Sequence, residues 1–368
     1  MTVHQKRSLK VEKLARIYDD EIAPVWGTRF GKMLLRNLAV PERGQVLDIS
    51  CGTGYPTIEI LRRMSEGSRL IAIDASSAML DVARRKVADL GPLGKKGVFF
   101  RTESAVPKLS FADDVYDLVV CNLGLSEMPS LEIALRDFAR VCKKSGEVRC
   151  TLPIEGTFEE FHDLYREVLI KHDRHEALDR LDKHIARYPT VEHVERSMRA
   201  AQLGGGLEIE EFTLLFKSSR EFFFAPVIEY GPLAEWKEIA GSGQEMQDVF
   251  WYIKEAIDAY FDGRPFHVTV KAGCIVGKKQ DSARSAAIDE VEVELEDVTD
   301  EEDTDLPRRP HKIAVGSVRL GDLGEVGELE VEEISSSDAD VVMDDGSPEE
   351  QELDAFIEGR KRPAHLDD

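Results

Sequence analysis

Between Val46 and Asp74 the chain sets two strand signals around a glycine turn. Val46-Leu47-Asp48-Ile49-Ser50-Cys51-Gly52-Thr53-Gly54 reads as a short apolar strand feeding a tight turn that opens a helix. Leu70-Ile71-Ala72-Ile73-Asp74 follows, and its terminal carboxylate lies twenty residues past Gly54. Gly52 and Gly54 let the backbone turn sharply and approach a ligand with no Cβ in the way. A carboxylate at the end of the second strand is well placed to accept both hydroxyls of a ribose. Few folds other than a doubly wound α/β sheet hold such a pair.

Two cofactors use this architecture. A dinucleotide site wants G-x-G-x-x-G, with the pyrophosphate on the helix N-terminus and the third glycine for close packing. Here Thr57 stands at the third position, and Asp48 puts an acid just before the turn. A carboxylate there would repel a pyrophosphate but suit the amino group and sulfonium of S-adenosylmethionine (SAM). The D-x-x-x-G-x-G pattern resembles the first motif of class I SAM-dependent methyltransferases.

The resemblance extends from about residue 10 to 280 and is strongest over 44–150. Tyr116-Asp117-Leu118-Val119-Val120-Cys121-Asn122-Leu123-Gly124-Leu125 looks like the fourth strand and following loop of small-molecule methyltransferases of the ubiquinone/menaquinone C-methylase and malonyl-carrier O-methylase type. So does a helix over Ser130–Lys144, followed by Ser145-Gly146-Glu147 and a further strand. Ala15-Arg16-Ile17-Tyr18-Asp19 and Pro24-Val25-Trp26 resemble the N-terminal segment that caps the cofactor in that family.

The resemblance implies a Rossmann-like, seven-stranded sheet whose last two strands form an antiparallel hairpin. It also implies a SAM site built from Tyr18, Trp26, Asp48, Ser50, Gly52, Gly54, Asp74, Ala75, Met79, Glu103, Ser104, Asn122 and Leu123. Three departures stand out. Ser50 replaces the motif's first glycine. Within Arg101-Thr102-Glu103-Ser104-Ala105, either Glu103 or Ser104 must serve the adenine. Ser126 and Glu127 stand where relatives often carry histidines.

The formal charge of −23 over 368 residues is concentrated in one region. Residues 281–368 carry 29 acids against 8 Lys and Arg, a net of −21, which leaves the preceding 280 residues at −2. A neutral body argues against a nucleic-acid substrate, which needs a basic face for phosphates. No apolar run reaches the ~20 residues that span a bilayer. Met1-Thr2-Val3-His4-Gln5-Lys6-Arg7 precedes no hydrophobic signal core. Five cysteines without a C-x-x-C pair read as reduced thiols, Cys121, Cys150 and Cys274 on strands and Cys142 on a helix, which suits a cytoplasmic protein.

Along the chain, β and α patterns alternate, as a parallel sheet with helices on both faces requires. Pro56 reads as a first-turn residue of a helix stopped by Gly67, and Ser76 or Ser77 caps the next, whose apolar side uses Leu80, Ala83, Val87 and Leu90. The organisation expected is N-terminal cap helices over 1–43 and a methyltransferase domain over 44–279. Insertions at 155–206 and 217–264 would build the acceptor pocket or lid. Leu203-Gly204-Gly205-Gly206 reads as a break before a strand over Leu207–Phe216, and His267–Val276 as the strand that closes the sheet. The acidic tail, 280–368, buries too little apolar surface to offset its ordering entropy and is expected to be largely disordered, outside both sheet and site. Ile313–Leu320 has the composition of a strand, and Leu353, Phe356 and Ile357 would stripe a short helix; both suit segments that fold on contact with a protein partner.

Candidates for chemistry are fewer. Tyr18 and Trp26 could face the sulfonium charge. Phe222-Phe223-Phe224, Tyr230, Trp236, Phe250, Trp251 and Tyr252 could line an apolar pocket over the methyl group, Tyr230 foremost, or simply form a helical core. His162, Tyr165 and Glu127 are candidate general bases. His162, His172, His175, His184 and His193 read as surface histidines rather than metal ligands, since no cysteine accompanies them. The strand-four loop lacks the N-P-P-Y or D-P-P-Y of amide and adenine N-methylases and the Pro-Cys of cytosine C5 enzymes. A small-molecule or carrier-bound acceptor is left. The alternative is a catalytically inactive SAM-binding protein with a regulatory or scaffold role through its acidic tail.

Overall fold

The computed structural model describes residues 3–95, 97–261 and 263–280. Seven strands form one sheet: β1 (Gln45–Ile49), β2 (Arg69–Asp74), β3 (Gly97–Thr102), β4 (Tyr116–Asn122), β5 (Cys142–Pro153), β6 (Leu203–Phe216) and β7 (Phe266–Lys279). Their order is β3-β2-β1-β4-β5-β7-β6, with β7 antiparallel to both neighbours and the other pairings parallel. This is the expected Rossmann-like sheet with its antiparallel edge hairpin.

Burial explains the strands. Val46, Leu70, Ala72, Leu118 and Val120 pack into one apolar cluster. Leu47, Ile49, Ile73, Val119 and Cys121 pack into another. Period-two alternation with both faces apolar is what a sheet sandwiched between helices demands. Around it run α1 (Val3–Ile17), a π-helical turn (Tyr18–Ile22), α2 (Gly27–Leu35), α3 (Thr57–Arg63), α4 (Ser77–Ala88) and α5 (Leu131–Val141). Ser76 caps α4, its Oγ accepting the Met79 N–H at 3.4 Å, and Leu80, Ala83 and Val87 are the buried side.

The insertion between β5 and β6 is three helices, α6 (Glu159–Lys171), α7 (His175–Ile185) and α8 (Val191–Ala200). Between β6 and β7 lie α9 (Ser219–Phe224), α10 (Pro226–Glu229), α11 (Leu233–Ala240) and α12 (Gly243–Phe261). Phe161, Phe222, Phe223, Trp236 and Phe250 are fully buried between these two groups. The aromatic run is thus the packed core of a helical layer, and not a pocket lining at those positions.

Several boundaries differ from the sequence reading. The fifth helix ends at Val141, so Cys142 begins β5 rather than sitting on a helix. Ser145-Gly146-Glu147 lies within that strand. Leu203–Gly206 does not break the chain: it is the start of β6, registered Leu203↔Lys279 to Gly206↔Val276 against β7. Pro56 precedes α3 as its N-cap, and α3 ends at Arg63, short of Gly67. The tail from 281 onward, including 313–320 and 353–357, lies outside the described residues. No described helix is long and apolar enough to cross a membrane.

Candidate cofactor site

Parallel register brings the strand ends together. Ile49 aligns with Ile73 on one side and Cys121 on the other, so Asp48, Asp74 and Asn122 all lie at the carboxyl end of the sheet. The turn beyond β1 holds three left-handed residues, Ser50 at φ +53°, Gly52 at +55° and Gly54 at +97°. A β-carbon on Gly54 would lie 3.1 Å from the Ala83 Cβ on α4. One on Gly52 would meet nothing nearer than the Tyr18 ring, at 3.6 Å. Close packing demands the second glycine; the dihedral alone demands the first.

The Asp74 carboxylate is tied to this turn. Its Oδ2 accepts the Gly52 N–H at 2.8 Å and its Oδ1 the Ser76 N–H at 2.9 Å. Each oxygen keeps a second lone pair for a ligand hydroxyl. Burial nevertheless outweighs these two bonds and raises the carboxyl above its ordinary pKa. Asp48 is fully buried; its Oδ2 accepts the Thr57 hydroxyl at 2.5 Å, while Oδ1 and the neighbouring Thr53 hydroxyl have no protein partner. Burial pushes Asp48 up to about 7, Thr57 opposing and Asp74 reinforcing the shift.

Two further acids or phenols close the group. Tyr18, on the π-helical turn, is pushed up to about 12, first by burial and then by Glu127, Asp74 and Asp19. Glu127 ends a 3₁₀ turn (Gly124–Glu127) after β4, and its carboxyl is raised by desolvation and then by Asp74, although the residue keeps a solvent-exposed side. The charged neighbours that shift Asp48, Glu127 and Tyr18 are all carboxylates, Asp74 among them in each case. Such a recess favours a cation. An orphaned buried oxygen on Asp48 and two hydroxyl-accepting oxygens on Asp74 fit the donors and charge of SAM.

Other expected site residues are placed differently. Asn122 is occupied at both ends, donating to the Gly27 carbonyl at 3.0 Å and accepting the Thr151 hydroxyl at 2.7 Å. It fastens the N-terminal cap to the sheet. Leu123 sits in the left-handed region, its N–H donating to the Thr151 carbonyl and hydroxyl, both at 3.1 Å. Trp26 stacks on Phe158 with ring centroids 5.9 Å apart and is tilted or edge-on to Phe30 and Phe212, an aromatic wall joining cap to insertion. Ala75 is exposed at the rim, and Met79 packs with Ala15, Ala78 and Val82. Glu103 pairs with Arg101 and accepts the Ser110 N–H at 3.1 Å; the Ser104 hydroxyl accepts the Val106 N–H at 3.1 Å.

Of the candidate bases, Glu127 alone borders the acidic recess. His162 is buried against Phe158, Phe161, His184, Tyr188 and Trp236, and its Nε2 has no partner. Burial lowers it to about 3. Tyr165 donates its hydroxyl to the Trp236 carbonyl at 2.8 Å inside the helical layer. Tyr230 is half-buried, raised by burial and by Glu229 and Glu21, which sets it beside the π-helical turn. His162 and His184 correct the surface reading of the histidines, since both are buried. Among the described residues no group of three His, Cys, Asp or Glu could hold a metal. Thr57, Thr53 and Thr151 were not anticipated, because a lone threonine carries no pattern that marks it.

Comparison with known proteins falls on the same strands. Residues 46–146 match the family model described as a methyltransferase domain. Demethylmenaquinone methyltransferase of Staphylococcus aureus strain JH9 is 29% identical over 163 residues, 44% of this chain and 64% of that protein. The match therefore spans somewhat less than two thirds of the relative's length. Among solved structures, the YcgJ protein of Bacillus subtilis is 19% identical and covers 69% of this chain and 100% of its own, with a TM-score of 0.46. Geranyl diphosphate C-methyltransferase of Streptomyces coelicolor, solved with S-adenosyl-L-homocysteine, is 14% identical over 68% of this chain and 79% of its own, at 0.41. The glycine turn and the Asp74 strand end both lie within residues 46–146, the stretch that matches the methyltransferase domain model.

Proposed function

We propose that the protein transfers the methyl group of SAM to a small-molecule or carrier-bound acceptor. The observation that carries this reading is the carboxylate of Asp74, held by the Gly52 and Ser76 amides and itself the acid that raises Asp48, Glu127 and Tyr18. A nucleoside bearing a positive charge answers both features; a dinucleotide offers the ribose, but its pyrophosphate would be repelled by the surrounding acids. SAM supplies an electrophilic methyl group on sulfur. Asp74 binds its ribose hydroxyls, and Asp48 Oδ1 accepts from its ammonium group. Tyr18 covers the turn and excludes water. Glu127, whose carboxyl is raised by desolvation and by Asp74, accepts a proton from the acceptor as it is methylated. Positioning in line supplies most of the acceleration in such a displacement.

Calorimetric titration with SAM, S-adenosylhomocysteine and NAD tests the cofactor; binding of NAD and not SAM would overturn the reading. Release of S-adenosylhomocysteine during incubation with labelled SAM and metabolite extracts tests turnover. SAM binding without turnover across acceptor pools would favour the inactive, scaffold alternative.

A further inference from the structure

β6 is the outermost strand of the sheet, fourteen residues long, and no described strand lies beyond it. Natural sheets shield so long an edge, because its unpaired N–H and C=O groups template another strand. Here the edge is also sticky and charged. Ile209 and Leu215 are 49% and 67% exposed. Glu208 and Glu211 are exposed and have no ion pair among the described residues, while Glu210 pairs with Arg36.

The chain beyond Gln280 contains a segment of matching chemistry. Within a tail of net −21, residues 306–320 hold no acid and four of the tail's eight basic residues, Arg308, Arg309, Lys312 and Arg319. Their apolar part is Ile313-Ala314-Val315-Gly316-Ser317-Val318-Arg319-Leu320, eight residues facing the eight of Glu208–Leu215. We infer that residues 313–320 add to the outer edge of β6 as an eighth strand within the same molecule.

Reach favours the same molecule over a second copy. β7 ends at Lys279, paired with Leu203, so the docking stretch begins five residues and ends twelve residues along β6. At ~3.3 Å per residue this is roughly 17–40 Å away. The spacer, 280–312, is thirty-three residues, and a flexible chain of that length would have a root-mean-square span of about 32 Å. A tether matched to its span gives a local concentration of order millimolar. Backbone pairing would supply affinity, and Glu208 and Glu211 against the basic flanks would select this run from an otherwise repelled tail. The inference is independent of the cofactor reading, and it departs from the expectation that the whole tail stands clear of the sheet.

Hydrogen exchange on the full chain tests it. Amides of 313–320 should exchange at least about tenfold more slowly than those of the acidic run 322–333, and 208–215 should be protected on both edges. Val315→Pro should abolish both protections while β1 and β4 amides stay unchanged, because proline removes a ladder donor in the tail. Glu208→Lys with Glu211→Lys should weaken both, as should raised salt. Free exchange across 313–320, with 208–215 indifferent to Val315→Pro, would overturn the inference. Protection that grows with protein concentration, alongside a dimer in sedimentation, would assign the strand to a second copy and overturn the intramolecular form.

Discussion

Ser50 fills the space that a β-carbon on Gly124 would need. A Cβ built on Gly124 would lie 2.6 Å from both the Cβ and Oγ of Ser50, and 2.8 Å from the Cys121 Sγ. The serine stands at φ +53°, where the family motif has a glycine. The departure from the motif is thus met just beyond the neighbouring strand, by a residue without a side chain at the start of the 3₁₀ turn that carries Glu127.

A double-mutant cycle should expose that compensation. Gly124→Ala is expected to cost about 1–3 kcal/mol by overpacking. Ser50→Gly should be nearly neutral, since it relieves a left-handed side chain while adding unfolded-state entropy. Combined, the two should recover part of the loss, with a coupling of order 0.5–2 kcal/mol, the remainder reflecting Cys121. Strict additivity in chemical denaturation would mean the two sites do not compete for space.

Asp74→Ala should lower SAM affinity on the order of 10- to 100-fold, by loss of charge-assisted hydrogen bonds to the ribose. The melting temperature of the ligand-free protein should fall modestly, because burial disfavours the charge being removed but the Gly52 and Ser76 amides lose their acceptor. Calorimetry giving wild-type affinity would remove the ribose assignment.

Gly52→Ala separates dihedral from space. Its β-carbon has room, yet φ +55° costs an L-residue roughly 1–2 kcal/mol. SAM binding should weaken by about tenfold, whereas Gly52→Val, β-branched, should abolish it. Equal affinities for both variants in thermal-shift titration would place the cofactor away from this turn.

Much of this site was legible because its signals are local. An apolar strand, a glycine turn and a strand-end acid occupy contiguous runs, and the register of parallel strands then brings Asp48, Asp74 and Asn122 to one end. What escaped were contacts between distant elements. Asn122 bonds Gly27 and Thr151, residues 95 and 29 positions away, and so serves the architecture through both of its polar ends. The glycines of Leu203-Gly204-Gly205-Gly206 have no strand propensity of their own, and pairing with β7 overrides that. Composition also cannot separate a pocket from a core: Phe222 and Trp236 are apolar in either case, and only the fold shows them enclosed.

Asp48 should make stability depend on pH. Its carboxyl titrates near 3.8 ordinarily and about 7 in the fold. Between those values the folded protein holds a proton the unfolded chain has lost, so this group's contribution to stability falls as pH rises and is constant above about 7. Asp48→Asn should therefore gain on the wild type from about pH 4 to about pH 7 in melting temperature, with no further gain above. SAM binding to the wild type should release protons over the same window. A pH-independent difference between the two proteins would show that Asp48 ionises normally.

His162 should act with the opposite sign. Burial holds its pKa at about 3 against 6.5 in the unfolded chain. The folded state then binds fewer protons, so the stability present above about 6.5 is lost progressively as pH falls toward about 3. His162→Leu removes both the titration and a buried Nε2 without a partner. Its acid-side melting curve should be flatter than the wild type's, and parallel slopes would contradict the buried neutral imidazole.

A chain ending at Lys279 should keep the stabilisation that SAM confers. That stabilisation depends on the affinity of the folded body, and every group assigned to the recess, from Tyr18 to Glu127, lies within it. The tail's net charge of −21 gives it no attraction for a recess lined by Asp48, Asp74 and Glu127. Truncation should instead change what the edge of β6 does. With residues 313–320 gone, Ile209 and Leu215 stay uncovered beside an unpaired backbone, which is a template for intermolecular strand pairing. The truncated chain should therefore show an unchanged SAM-induced rise in melting temperature together with a greater tendency to self-associate at high concentration, read by light scattering. Loss of the SAM response would place part of the cofactor site in the tail. A truncated protein that stays as monodisperse as the full chain would argue that β6 needs no cover.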